Sequence, residues 1–183
     1  MFHFALPDPF AEILPDLWRG LLLVPVPLLA WAAWSDLVTR TIPDAACIAL
    51  ALAGVLLRGA AGPWPLALSA GIAALTFFAL AVLHAHGGFG GGDVKLAAAV
   101  LIGLSPIGAY RFFVITILAG GGLALIYVAM RALPPVRPAS AGAALPRRLW
   151  RTERWRVRRH GTLPYGIAIA CGGCWAVLTT IGG

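Results

Sequence analysis

The sequence predicts an all-α, polytopic membrane protein with six transmembrane helices, and three observations carry that prediction. Of 183 residues, 60% are hydrophobic and only 11% charged, with a mean hydropathy of +0.87. A soluble domain carries roughly 25% charged residues to cover its surface. Several apolar runs approach or exceed the ~20 residues that cross a bilayer, and the basic residues gather on alternate connections between them.

The elements follow in order. Residues 1–16 are proline-rich, with Phe10, Ile13, Leu14 and Leu17 at helical spacing, which fits a short interfacial segment lying on the membrane. Residues 17–183 then form one six-helix membrane domain. The first span covers 17–34 and holds Pro25 and Pro27, which are expected to kink it. A polar connection, 35–44, ends at Asp44, a good helix N-cap for a short second span over 45–57. A turn at 59–63 leads to the third span, 64–83. Next comes a glycine-rich loop, 84–92, and a short fourth helix from Val94 to about Gly103, stopped near Pro106. The fifth span is 110–130, the hydrophilic stretch is 134–161, and the sixth span is 162–181.

Charge fixes the topology. Eight of the fourteen Lys and Arg residues fall between Arg137 and Arg159, so the 134–161 loop is expected to be cytoplasmic. Alternation then places eleven basic residues inside and three, Arg19, Arg58 and Arg111, outside. Both termini fall on the external face, and the 35–44 and 84–93 connections share the cytoplasmic one. Within the loop, Trp150 and Trp155 alternate with arginines, a pattern suited to anionic lipid headgroups. It equally suits an ordinary positive-inside loop. The net charge of +7 is distributed this way rather than as a folded basic face, which argues against nucleic acid as a partner.

The acidic N-terminus lacks the basic region of a cleaved signal peptide. Cys171 and Cys174 have CxxC spacing but lie in an apolar run with no second pair, so they read as small packing residues rather than a zinc or redox site.

Two carboxylates stand out. Asp36 closes the first apolar run, and Asp93 follows Gly90-Gly91-Gly92 at the mouth of another. An ionisable group at membrane depth is costly and marks a candidate functional site. Each alone has a plain structural reading, an ion pair with Arg40 for Asp36 and a helix cap for Asp93. As a pair on one face they suit acid–base work. Two carboxylates sharing a site do not both ionise easily, so one retains a proton near neutral pH. One then activates water while the other protonates a carbonyl, which is metal-free peptide hydrolysis through a tetrahedral diol. No cofactor and no metal are expected. Paired carboxylates beside broken helices also suit a small proton-coupled transporter or a secretion-system accessory subunit, which keeps that class open.

The residues carry a resemblance. Gly90-Gly91-Gly92-Asp93-Val94-Lys95-Leu96 matches the GxGD signature of the prepilin peptidases, or type IV leader peptidases. The run from Asp36 to Asp44 is similar to their first aspartate motif, Asp-x-x-x-Arg-x-Ile-Pro-Asn, with Asp44 in place of the usual Asn. Leu163-Pro164-Tyr165-Gly166 resembles their Pro-Tyr-Gly motif. The resemblance implies an intramembrane aspartyl protease with Asp36 and Asp93 as its catalytic pair. Its implied substrates are prepilins or pseudopilins with a short basic leader, cut at the cytoplasmic face of the inner membrane. It also implies substrate-binding or site-shaping parts for Arg40, Gly90, Gly92, Lys95, Pro164, Tyr165 and Gly166. Arg40 and Lys95 equally suit snorkelling anchors at helix ends. The chain lacks the paired CxxC motifs that larger relatives link to N-methylation, so it resembles the short peptidase-only branch associated with Flp-type pili, and no methyltransferase activity is expected. Helix dipoles favour Asp93, at a helix N-terminus, as the ionised base and Asp36, at a helix C-terminus, as the protonated acid. His84 and His86 are expected to face headgroups, and Gly120-Gly121-Gly122 to admit close helix packing.

Overall fold

A computed structural model describes residues 23–132 and 163–181. Among them the chain is all-helical, with six helices and no strand. The 1–16 segment, the first part of the expected first span and the 134–161 loop lie outside the described residues.

Helix α1 (Pro25–Thr39) places Pro25 and Pro27 in its first turn, where a missing N–H breaks no intrahelical bond. It ends on Arg40, which is left-handed (φ 59°, ψ 29°) and donates its N–H to the Asp36 carbonyl at 3.0 Å. That conformation costs a side-chain-bearing residue roughly 1–2 kcal/mol. Local hydroxyls offset it: Ser35 Oγ donates to the Thr41 carbonyl and Thr39 Oγ1 to the Ser35 carbonyl, each at 2.8 Å.

Helix α2 (Asp44–Ala60) corrects the expected cap. Pro43, extended at φ −63° and ψ 129°, is the residue before the helix, and Asp44 is already its first residue. The Asp44 carboxylate therefore makes no cap bond and instead pairs with Lys95 at 2.9 Å. Gly62 (φ 120°) reverses the chain into α3 (Pro63–Ala85), which again opens on prolines.

Helix α4 (Gly91–Ile102) begins inside the glycine string, and α5 (Pro106–Ala132) and α6 (Tyr165–Ile181) complete the set. With 23 and 27 residues, α3 and α5 are long and apolar enough to cross a membrane. At 1.5 Å per residue they extend roughly 35 and 40 Å against a hydrocarbon core of ~30 Å. Both expose large apolar side chains, among them Leu75, Phe78, Ile117 and Leu125, all at least two-thirds exposed. Such a belt suits lipid rather than water. Twelve-residue α4 is roughly 18 Å long, too short to cross alone.

Packing encloses α4 instead. It lies against α2, α3 and α6, with Leu96 and Leu101 fully buried, while α6 seats on α5 and α1. Small residues set the closest approaches. A methyl at Gly54 of α2 would lie 2.7 Å from the Gly103 backbone nitrogen, so glycine alone fits there. The glycine run in α5 divides: Gly120 lies beneath the Tyr165 ring, whereas Gly121 and Gly122 face open space. In α6 the closest approaches belong to Gly172 and Gly173; of the two cysteines expected to pack there, Cys174 is half-buried against the core and Cys171 is exposed. Helical rotation turns Cys171 off the face that the two glycines press against α5 and α1.

The Gly54 contact is testable by thermal unfolding in detergent. Gly54→Ala forces the α2 and α4 backbones apart and is expected to cost about 1–3 kcal/mol. Gly121→Ala, which meets no atom within 4 Å, is expected to leave the midpoint unchanged or slightly raised.

Candidate functional site

Asp36 lies in the last turn of α1, yet it is 7% exposed. Its Oδ2 accepts the Gly166 backbone N–H at 2.9 Å. Gly166 is the second residue of α6, where backbone N–H groups have no partner within the helix. The carboxylate of the first described helix thus caps the last one. Pro164, fully buried, leads the chain into that turn. A methyl on Gly166 would lie 2.8 Å from Asp36 Oδ2 and 2.9 Å from its Cβ, so the residue must be glycine for the bond to form.

Asp93 is the third residue of α4 and 8% exposed. The Gly90 backbone N–H is directed at its carboxyl, the reach-back of an N3 acid to the residue that precedes the helix. Oδ2 is the oxygen against Gly90, only 2.7 Å from where a methyl would sit, while Oδ1 is buried without a hydrogen-bond partner. The charges that reach Asp93 are the Asp36 carboxylate and the Arg40 guanidinium.

The glycine loop is a specific structure. Helix α3 ends in a Schellman turn: the Gly88 N–H reaches the Leu83 carbonyl and the Gly87 N–H the His84 carbonyl, each at 2.9 Å, with Gly87 left-handed at φ 77°. The chain then returns over His84 to Gly90. Gly92 packs against Ile42, where a methyl would come within 3.2 Å of the isoleucine Cβ.

Both aspartates line one open cleft of about 600 Å³, together with Arg40, Asp44, residues 87–92, Lys95, Leu163 and Tyr165. Of the residues singled out in the sequence, Arg40, Gly90, Gly92, Lys95 and Tyr165 thus join the aspartates at this cleft. Pro164 and Gly166 stand behind it and hold Asp36. Arg40 Nη2 donates to the Tyr127 hydroxyl at 3.1 Å, and Lys95 to Asp44, both of that pair being more than half exposed. Among the described residues no three His, Cys, Asp or Glu side chains converge as a metal-ligand group.

Three contributors escaped the sequence reading. Tyr127 is one apolar-helix aromatic among several and becomes visible only through its bond to Arg40. Phe89 stacks on Tyr165 with ring centroids 5.0 Å apart; its one signal was being the sole side chain in a six-residue glycine string. His84, expected at the headgroups, is exposed, and its Nδ1 lies 2.6 Å from the Phe89 carbonyl.

The cap predicts an asymmetry in stability. Gly166→Ala is expected to cost about 1–3 kcal/mol by pressing α6 off Asp36. Lys95→Gln, which removes an exposed pair, is expected to leave the unfolding midpoint where it was.

A family model of the type IV leader peptidases matches residues 23–125, which include both aspartates and the glycine loop. The Pro164-Tyr165-Gly166 turn lies beyond that match and joins the site through the packing of α6. No curated protein and no solved structure matches the chain. The chain belongs to the type IV leader peptidase family, membrane-embedded peptidases that act on prepilin-like substrates.

Proposed function

We propose that the protein is an aspartic endopeptidase that removes the short leader from type IV prepilin-like precursors, with Asp36 and Asp93 as its catalytic pair. The observation that carries this reading is the burial of two carboxyls, 57 positions apart in sequence, at the wall of one open cleft edged by a side-chain-poor loop. Glycine backbone admits an extended peptide closely, and two neighbouring carboxyls hold one proton between them.

The hydrogen bonds support roles opposite to those that helix dipoles alone suggest. Asp36 sits at the C-terminus of its own helix but accepts a backbone N–H from the N-terminus of α6, a donor that favours a carboxylate. Asp93 has one oxygen toward Gly90 and one buried without a partner. In the proposed cycle, ionised Asp36 takes a proton from water while protonated Asp93 gives its proton to the scissile carbonyl oxygen. The hydroxide equivalent and the carbonyl form a diol. Asp36 then delivers its proton to the leaving amine, the C–N bond breaks, and a diol hydroxyl returns a proton to Asp93. Arg40, anchored on Tyr127, would moderate the charge of the pair.

The reading extends to location. The distribution of Lys and Arg supports six spans, with α4 as a short, enclosed member, both termini external and the cleft on the cytoplasmic side; the inner membrane is what membership of the family implies. The N-methylation of mature pilin is outside the proposed activity.

Co-expression with a Flp-type prepilin tests the pair. Wild type is expected to shift the pilin on a gel, and Asp36→Asn and Asp93→Asn each to reduce cleavage by about 10²–10⁴-fold while still inserting in the membrane. A single variant that still cleaves would remove its residue from the pair. Wild type that cleaves no prepilin in detergent would favour the proton-coupled transporter, which works only across a sealed membrane. Carboxyl-stretch infrared spectra test the roles: the protonated band is expected to persist in Asp36→Asn and vanish in Asp93→Asn, and the reverse result would restore the dipole assignment.

A further inference from the structure

We propose that His84 is a positioning residue for Asp93, acting through the single peptide group that joins Phe89 to Gly90. The inference rests on the reading of Asp93 as catalytic and adds a residue that neither the motifs nor the family match assigns.

The geometry is that of a relay. His84 Nδ1 lies 2.6 Å from the Phe89 carbonyl oxygen. A carbonyl oxygen only accepts, so the ring donates from Nδ1 and its tautomer is set. The N–H of that same amide belongs to Gly90, and it is directed at the Asp93 carboxyl. Hydrogen bonds at the two ends of one peptide group act in series: donation to its oxygen polarises the N–H and makes it a stronger donor. The imidazole is well seated for this. A methyl on Gly91 would lie 3.4 Å from both Cε1 and Nε2, so the ring rests over the first turn of α4, and the Schellman turn after His84 returns the loop above it.

The consequence concerns the second carboxyl oxygen. With Oδ2 against Gly90, the unpartnered Oδ1 is the atom left for chemistry. The other end of the same peptide carries the Phe89 ring against Tyr165, whose neighbour Gly166 holds Asp36. His84 therefore fixes the loop between both aspartates without lining the cleft itself.

Steady-state cleavage of a prepilin in detergent by His84→Asn, His84→Gln and His84→Ala enzymes tests the proposal, with Asp93→Asn as control. The asparagine amide nitrogen stands where Nδ1 stands and donates to the same carbonyl; glutamine reaches the Nε2 position instead. His84→Ala and His84→Gln are expected to lose kcat on the order of 10²-fold with KM little changed, and His84→Asn to recover most of it. Unfolding midpoints, measured on each variant, are expected to stay near wild type. The protonated carboxyl band of Asp93 is expected to shift in His84→Ala and return in His84→Asn, a readout independent of turnover. Full kcat in His84→Ala, or equal loss in His84→Asn and His84→Ala, overturns the relay. Cleavage by Asp93→Asn would instead overturn the catalytic reading of Asp93, so the two failures are distinct.

Discussion

The hydrogen bond from the Gly166 N–H to the Asp36 carboxylate joins the first described helix to the last, and the site is arranged around it. A carboxylate 93% removed from solvent needs a donor, since a buried acceptor left unpaired costs about 1–3 kcal/mol or more for a charged group. A helix N-terminus has unpaired donors. Each resolves the other's deficit. The arrangement is possible because residue 166 has no side chain and because Pro164 turns the chain into the helix at that place. It also brings Tyr165 over the cleft, where its ring meets both Phe89 of the glycine loop and Gly120 of α5.

A second constraint is the short length of α4. Twelve residues cannot cross a bilayer, so its polar first turn must be sheltered by protein, and irregular backbone at membrane depth survives only where protein or a wet cavity surrounds it. Helices α2, α3 and α6 lie against it, with Gly54 of α2 against Gly103 at one end, and Ile42 of the connection before α2 against Gly92 at the other. The loop above Asp93 is correspondingly rich in defined contacts: a Schellman turn, an imidazole under a carbonyl, an aromatic stack. Its glycines serve close approach and one left-handed turn rather than looseness.

Charge placement separates the proposed chemistry from the scaffold. Asp36 and Asp93 are buried and reached by backbone donors, whereas Asp44 and Lys95 are exposed and satisfy each other at the cleft's edge. The charges that reach Asp93 are those of Asp36 and of Arg40, whose left-handed backbone and bond to Tyr127 hold it at the cleft.

The sequence by itself determined the all-helical class, the existence of each described helix and most of the residues that line the cleft, but not the helix ends: α1 continues to Thr39 through the expected polar connection, and α5 begins four residues early at Pro106. Long apolar runs and the low charge content are local signals, readable without knowing what packs on what, whereas Pro25 and Pro27, expected to kink the first span, stand at the start of α1. Asp36 and Asp93 were legible because ionisable residues are conspicuous against an apolar chain; the Leu163–Gly166 turn was legible only through its resemblance to the Pro-Tyr-Gly motif. What only the tertiary structure decided is who satisfies whom. For Asp36 the sequence offers the dipole of its own helix and a nearby Arg40, whereas the Gly166 N–H that its Oδ2 accepts comes from α6, 130 positions later. Asp44 read as a cap until Pro43 took that place and Lys95 came within reach. His84 is exposed, as a headgroup residue would be, but its bond to the Phe89 carbonyl depends on how the loop folds back. Hydrogen-bond partners of buried groups are chosen by the packing of distant segments, and no local pattern encodes that choice.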